Sequence, residues 1–180
     1  EKVINNKNMF SFIIQNLIVI YSSLCGGNKV AISKLYLGLK PKERFALVGH
    51  SGAGKTTIIK SILNQTPIID GHILLNNINM SKHIVGLHNK IGYCPQSNSL
   101  FDYLTVKETF EFYDKGIVSD IVNDCTSLQE SISNRITNLL SVCGLYKYRD
   151  SLTKDLSGGN KRKVLFAIAL MNNPEWILLD

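Results

Sequence analysis

Residues 49–57 read GHSGAGKTT, and the pattern G-x-x-x-x-G-K-[ST] is a chemistry in itself. Glycines at 49, 52 and 54 let backbone N–H groups turn inward and form a nest for an anion. Placed before a helix, such a nest also sees the positive end of the helix dipole. The Lys55 ammonium would reach the β- and γ-phosphates of a nucleotide, and the Thr56 hydroxyl would hold Mg²⁺, a hard cation that prefers oxygen. The backbone of Gly49, His50, Ser51, Gly52, Ala53 and Gly54, with Thr56 and Thr57 behind, would line the phosphates. For His50 the backbone matters more than the imidazole. A flexible loop carrying a stray lysine is the competing reading, and the elements on either side decide between them.

Two further stretches carry chemistry. WILLD, residues 176–180, is an apolar run ending in an aspartate. Apolar strands often end this way, but beside a phosphate loop Asp180 becomes a candidate Mg²⁺ holder. LSGGNKRK, residues 156–163, places a serine and two glycines at the start of a helix (VLFAIALM follows, 164–171). Ser157 with the amides of Gly158 and Gly159 makes a second anion site. Two phosphate sites in one small domain point to two copies meeting, each lending half a nucleotide pocket to the other. Lys161, Arg162 and Lys163 read as a solvated basic helix face with no chemistry.

The elements that must position these residues alternate between strand and helix. Residues 11–21 and 31–39 are rich in branched and aromatic side chains, with a Gly26-Gly27-Asn28 turn between them, and read as a hairpin. RFALVG, 44–49, reads as a short strand running into the loop, and 55–63 as a helix with apolar positions 58, 59, 62 and 63. Strand, loop and helix is the context a phosphate loop needs. GHILLNN (71–77) and KIGYCPQ (90–96) read as strands. Thr105 and Glu108 form a capping box that opens a helix through Tyr113. Apolar positions 128, 132, 136, 139, 140 and 143 predict a second amphipathic helix over 127–143. The expected fold class is α/β, with an antiparallel β region first and a helical block at 104–156 inserted in the core.

Bulk properties narrow the setting. A chain of 180 residues can bury one sizeable core. The formal charge of +6 is spread without long like-charge runs and reads as a solvated surface. Cys25, Cys94, Cys125 and Cys143 lack C-x-x-C spacing, so neither zinc nor a redox motif is expected. FSFIIQNLIVIY, 10–21, is shorter than the roughly 20 apolar residues of a membrane span. It is interrupted by Gln15 and Asn16, and no signal peptide precedes it. His72, His83 and His88 have no ligand spacing and read as surface residues.

Together these motifs resemble the nucleotide-binding domain of ATP-binding cassette (ABC) proteins. LSGGN is similar to that family's signature, most often LSGGQ, and Ser157 to Asp180 has the usual spacing from signature to Walker B strand. Gln96, in YCPQ, falls where the family has its Q-loop glutamine, which contacts Mg²⁺ and couples the site to a partner; read alone it is a loop glutamine. Tyr21 falls where the family has the aromatic that stacks on adenine; read alone it is a packing residue. The motif order Tyr21, GHSGAGKTT, Gln96, LSGGN, WILLD matches over about residues 11–180. CPQSNSLFDYLTVKETFEFY (94–113) and SGGNKRK look like the A subfamily, eukaryotic transporters that mostly move lipids.

The resemblance implies the rest. It implies ATP and Mg²⁺ as cofactors, with Lys55, Gln96 and Asp180 in catalysis and Thr56, Gln96 and Asp180 at the metal. It implies one nucleotide domain over 1–180, divided into a β region with phosphate loop and Q loop (1–103), a helical subdomain (104–156), and signature helix with Walker B strand (157–180). The implied partners are a second nucleotide-binding domain and transmembrane domains, which would hold the chain at the cytosolic face of a membrane; no nucleic acid is expected. The family's catalytic glutamate, D-loop and switch histidine follow Walker B, and the closing strands of the core lie there too. The 180 residues are therefore expected to be a fragment that binds nucleotide and hydrolyses little. The competing functions are a soluble ABC ATPase acting on nucleic acid or ribosomes, and a module in which ATP only joins two domains.

Overall fold

The computed structural model describes residues 9–22, 27–80, 90–118 and 126–180, with side chains for all of these except 115–118 and 126–132. Gly26, Cys25, Cys125, His83 and His88 lie outside the described residues, as do the side chains at 128 and 132. The chain divides into two compact units, Glu1–His88 and Asn89–Asp180.

In the first unit, β1 (Phe12–Ser22) pairs antiparallel with β2 (Asn28–Leu39) on one side and β3 (Asp70–Leu75) on the other, and the short β4 (Ile78–Asn79) closes the order β2-β1-β3-β4. The central strand is apolar almost throughout because it is covered on both faces: Phe12, Ile13, Ile14, Leu17 and Val19 are all buried. Gln15 and Asn16, which interrupt the run in sequence, fall at a register shift. Asn16 takes a left-handed backbone (φ 50°), and its amide donates to Asp70 Oδ2 at 2.6 Å. Gly71 lies opposite: a Cβ there would meet the Gln15 and Asn16 carbonyl oxygens at 2.4 Å. Helix α1 (Lys55–Ile62) buries Ile58, Ile59 and Ile62, the face expected from their spacing.

One expectation is corrected here. Residues 44–49 are not a strand: they have no ladder partner among the described residues, and Phe45 and Val48 are exposed. An apolar run becomes a strand only where a neighbour supplies its hydrogen bonds, and none of the described residues does so here.

In the second unit, β5 (Ile91–Cys94) and β6 (Trp176–Leu179) run parallel, with Cys94 opposite Leu179. The connection between them holds α2 (Val106–Val118), α3 (Thr126–Val142), two 3₁₀ turns (Tyr146–Tyr148 and Thr153–Asp155) and α4 (Gly158–Leu170). Val106 and Phe110 of α2, Ile136 and Leu140 of α3, and Val164, Ala167 and Met171 at α4 make one core. Leu139 and Cys143 pack against its edge. Helix α4 has a second buried face, Leu165 and Ala169, which packs with Cys94. Gly92 allows this approach, since a Cβ there would lie 2.1 Å from the Ala169 carbonyl oxygen.

The capping box forms as expected. The Thr105 N–H and hydroxyl both donate to Glu108 Oε2 at 2.8 Å, and the Glu108 N–H donates to Thr105 Oγ1 at 3.2 Å. The Thr105 backbone bond, then the hydroxyl bond, holds the Glu108 carboxyl below its ordinary value of 4.5. A depressed carboxyl stabilises the fold fully above its unfolded pKa and loses that contribution as pH falls through the lower folded value. Thr105→Ala is expected to cost about 1 kcal/mol, seen as faster amide exchange in the first turn of α2. Acidification below the ordinary glutamate range should lower the same amides' protection factors, taken against the acid-slowed intrinsic rate, in the native protein, and less so in Thr105→Ala, which keeps the backbone bond but lacks the hydroxyl one.

Candidate functional site

The phosphate loop precedes α1 in the first unit. Gly52 and Gly54 have φ of 80° and 90°, the left-handed region that glycine enters without strain. At Gly54 a Cβ would also meet the Ala31 carbonyl oxygen of β2 at 2.9 Å. Lys55 Nζ donates to the Gly49 and His50 carbonyl oxygens, each at 2.8 Å, so the ammonium closes over the loop it follows. The His50 ring nitrogen Nδ1 is 2.8 Å from the Ser51 carbonyl oxygen, which folds the imidazole onto its own backbone. Helix α1 starts at Gly54 with no side-chain cap and no acidic residue in its first turn. A helix start without its own carboxylate or capping oxygen is fitted to an external anion.

Tyr21, at the end of β1, is brought to this loop. Its hydroxyl donates to Thr57 Oγ1 at 3.4 Å, and 41% of the residue is exposed. The hydrogen bond to Thr57, then one to Thr66, holds its phenol below the ordinary value. A tyrosine anchored by its hydroxyl while its ring stays accessible suits a stacking platform.

The second unit holds the remaining residues. Gln96 follows β5 and Asp180 follows β6, neighbouring parallel strands, and the Asp180 N–H donates to the Cys94 carbonyl oxygen at 3.0 Å. The strand pairing thus carries these two side chains out of adjacent strand ends. Ser157 caps α4: its hydroxyl accepts from the Asn160 N–H at 3.3 Å. Gly158 and Gly159 are exposed, and a Cβ at either would meet nothing within 4 Å. Their amides stand open to an approaching ligand, and α4 has no acidic residue in its first turn. Asn160, in place of the commoner glutamine, is engaged by Tyr148, whose phenol is pulled below its ordinary value chiefly by that hydrogen bond.

Arg162 departs from its reading as a solvated basic residue. Its guanidinium donates to the carbonyl oxygens of Pro95, Gln96 (3.1 Å) and Asp180. With Cys94, Gly159, Lys163, Phe166 and Leu179 it lines a cleft of about 390 Å³ beside the signature turn. The signal was present in the spacing. Arg162, Leu165 and Ala169 stand at i, i+3 and i+7, so the arginine continues the face of α4 that packs on β5. A basic triplet hides this, since two of its three members, Lys161 and Lys163, do follow the ordinary pattern of long cations at a helix surface.

The architecture is that of an ATP-binding cassette ATPase domain, of α/β class with an antiparallel β region and a helical insertion. The ABC transporter family model matches residues 32–180, and the chain belongs to that family. Curated relatives include human ATP-binding cassette sub-family A member 2 (34% identity over 93% of this chain and 6% of that protein). Bovine retinal-specific phospholipid-transporting ATPase ABCA4 shares 32% over the full chain and 8% of its own length. The chain therefore spans less than a tenth of these relatives. Among solved structures, cbiO1 from Clostridium perfringens, part of the ABC transporter complex cbiONQ, superposes with a TM-score of 0.76 at 26% identity. That match covers 95% of this chain and 65% of the other. A dimeric post-hydrolysis state of the ATP-binding cassette MJ0796 bound to ADP and Pi gives 0.80 at 25% identity, over 94% and 73%.

Proposed function

We propose that the chain is part of the ATP-binding and ATP-hydrolysing motor domain of a full-length membrane transporter that moves lipids, driven by ATP-dependent pairing of two nucleotide domains. The observation that carries this reading is the second helix start. Ser157, Gly158 and Gly159 leave an exposed, uncrowded anion site on α4, in a chain that already has a phosphate loop at α1. A second domain's ATP would be held there in this reading.

The residues present suit ATP and Mg²⁺. Lys55 would meet the β- and γ-phosphates, and the loop amides would hold them from the other side. Each unit offers oxygen donors of the kind Mg²⁺ prefers, Thr56 in the first and Gln96 and Asp180 in the second, and the ion is commonly held by one or two carboxylates together with substrate phosphates. Among the described residues no group of three or more His, Cys, Asp or Glu could hold a metal without such help. With the substrate phosphates, Mg²⁺ would supply charge neutralisation for the transferred phosphoryl group. Tyr21 would stack on adenine.

No helix among the described residues is long and apolar enough to cross a membrane. In this reading transmembrane partners hold the domain at the cytosolic face, and Gln96 passes the state of the site to them. The lipid cargo is carried over from the phospholipid-transporting relative. The test is the full-length protein in phosphatidylcholine–phosphatidylserine vesicles containing a fluorescent phospholipid. ATP is expected to move the probe between leaflets, and ADP to leave it in place. Hydrolysis with no lipid movement would overturn the cargo. Nucleotide-driven pairing without hydrolysis would overturn the motor in favour of a binding module.

A further inference from the structure

We infer that Thr66 is a positioning residue for the nucleotide base: together with Thr57 it holds the Tyr21 hydroxyl, and so fixes the ring on which the base would stack. This role rests on the nucleotide reading above, in which Tyr21 is the base platform. Thr66 stands out by its burial. Every other residue from Leu63 to Asp70 is exposed or half-buried, whereas Thr66 is 5% exposed. A polar side chain buried in an otherwise open segment calls for a hydrogen-bonding partner. The backbone leads it to one. Asn64 turns the chain out of α1 with a left-handed φ of 55°, and the Gln65 N–H closes back on the Lys60 carbonyl oxygen at 2.8 Å. Pro67 favours an extended residue before it. Further on, the Ile69 N–H donates to the Ile18 carbonyl oxygen at 3.0 Å, and Ile18 pairs with Asp70. The segment therefore approaches β3 antiparallel to the far half of β1. Three residues outward from Ile18 and from Ile69 stand Tyr21 and Thr66.

The partner is the Tyr21 phenol. A phenol has one proton to donate and lone pairs with which to accept. It donates to Thr57 Oγ1 at 3.4 Å and accepts from the Thr66 hydroxyl. The two threonines come from opposite ends of α1: Thr57 sits in its first turn, and Thr66 lies beyond its last. The ladder fixes the backbone at the same point, since Tyr21 pairs with Lys29 and Ser22 with Asn28 of β2. The ring is thus held at its root by the ladder and at its tip by two hydroxyls, while its face stays accessible. Immobilising a side chain is one of the costs of binding a ligand. A ring ordered beforehand meets most of that cost on folding, so the base would stack on a surface already in place. Thr66 would never touch the nucleotide; it acts through Tyr21.

The full-length protein with Thr66→Val tests this. Valine keeps the branched shape and loses the hydroxyl. Two ligands are titrated against a fluorescent ATP analogue: ATP, and inorganic tripolyphosphate, which has the phosphates and no base. Thr66→Val is expected to weaken ATP about fivefold, on the scale of one neutral hydrogen bond, and to bind tripolyphosphate as the native protein does. Thr66→Ser, which brings a hydroxyl back, should restore ATP affinity. Tyr21→Phe probes the same bonds from the exposed side, keeping the ring and removing the phenol oxygen. It should weaken ATP at least as much, and adding Thr66→Val to it should weaken ATP no further, because the two residues act as one unit. Native ATP affinity in either Thr66→Val or Tyr21→Phe would overturn the role. So would additive losses in the double variant, or equal weakening of ATP and tripolyphosphate by Thr66→Val, which would place Thr66 in support of the phosphate loop instead. Should the native protein bind ATP no more tightly than tripolyphosphate, the stacking reading of Tyr21 fails and the role of Thr66 with it. Binding of neither ligand would overturn the nucleotide reading as a whole, together with this role.

Discussion

Replacing Lys55 with alanine is expected to weaken ATP binding about a hundredfold, with ADP affected less. A hydrogen bond to a charged group is worth roughly 1.5–3 kcal/mol, and each 1.4 kcal/mol is about a factor of ten in affinity. Lys55 would make such contacts to two phosphates. It also bridges the Gly49 and His50 carbonyl oxygens, so its loss loosens the nest as well as removing a cation. Lys55→Arg separates the two effects. The charge stays, but a planar fork replaces a compact ammonium that fits between two carbonyls. Affinity for a fluorescent ATP analogue is therefore expected to fall in both variants, and further in alanine. An alanine variant that binds ATP within threefold of the native protein would remove Lys55 from the phosphate site.

How far the sequence could be read depends on how local the determining interaction is. The loop before α1, the Thr105–Glu108 box and the Ser157 cap are each decided within a few residues. Their hydrogen bonds run between i and i+3 or over one turn. The buried stripes at 58, 59 and 62 and at 136 and 140 follow from helical periodicity in the same way. Three features escaped because their partners are distant in sequence. Residues 44–49 have strand-like composition, but a strand needs a neighbour that composition does not supply. Asn16 looked like an interruption in an apolar run; its left-handed backbone is supported from Asp70 and from the missing Cβ of Gly71. Arg162 looked like one cation among three until the fold carried Pro95 and Asp180 beneath it.

In the proposed two-sided pocket the two anion sites would serve different molecules, and Ser157 is where that difference is measurable. A bulky replacement such as Ser157→Arg would obstruct a partner but would also remove the cap, at a cost of about 1 kcal/mol. Ser157→Asp is the sharper test. Aspartate is as good an N-cap as serine, so the bond from the Asn160 N–H survives and α4 keeps its start. What changes is charge: a carboxylate now faces the position where a partner's γ-phosphate would sit. Like charges in a closed interface cost several kcal/mol. Ser157→Asp is therefore expected to bind ATP in the monomer as the native protein does and to lose ATP-driven pairing, read by sedimentation-velocity mass with a slowly hydrolysed ATP analogue. The same variant separates the competing arrangement. If Ser157 lay on its own chain's nucleotide, monomer affinity would fall along with pairing, and the two-sided pocket would be wrong. Lys55→Ala gives the reciprocal pattern, with monomer binding lost first and pairing lost as its consequence. Two variants that differ only in whether the monomer still holds ATP are what a pocket built from two chains requires.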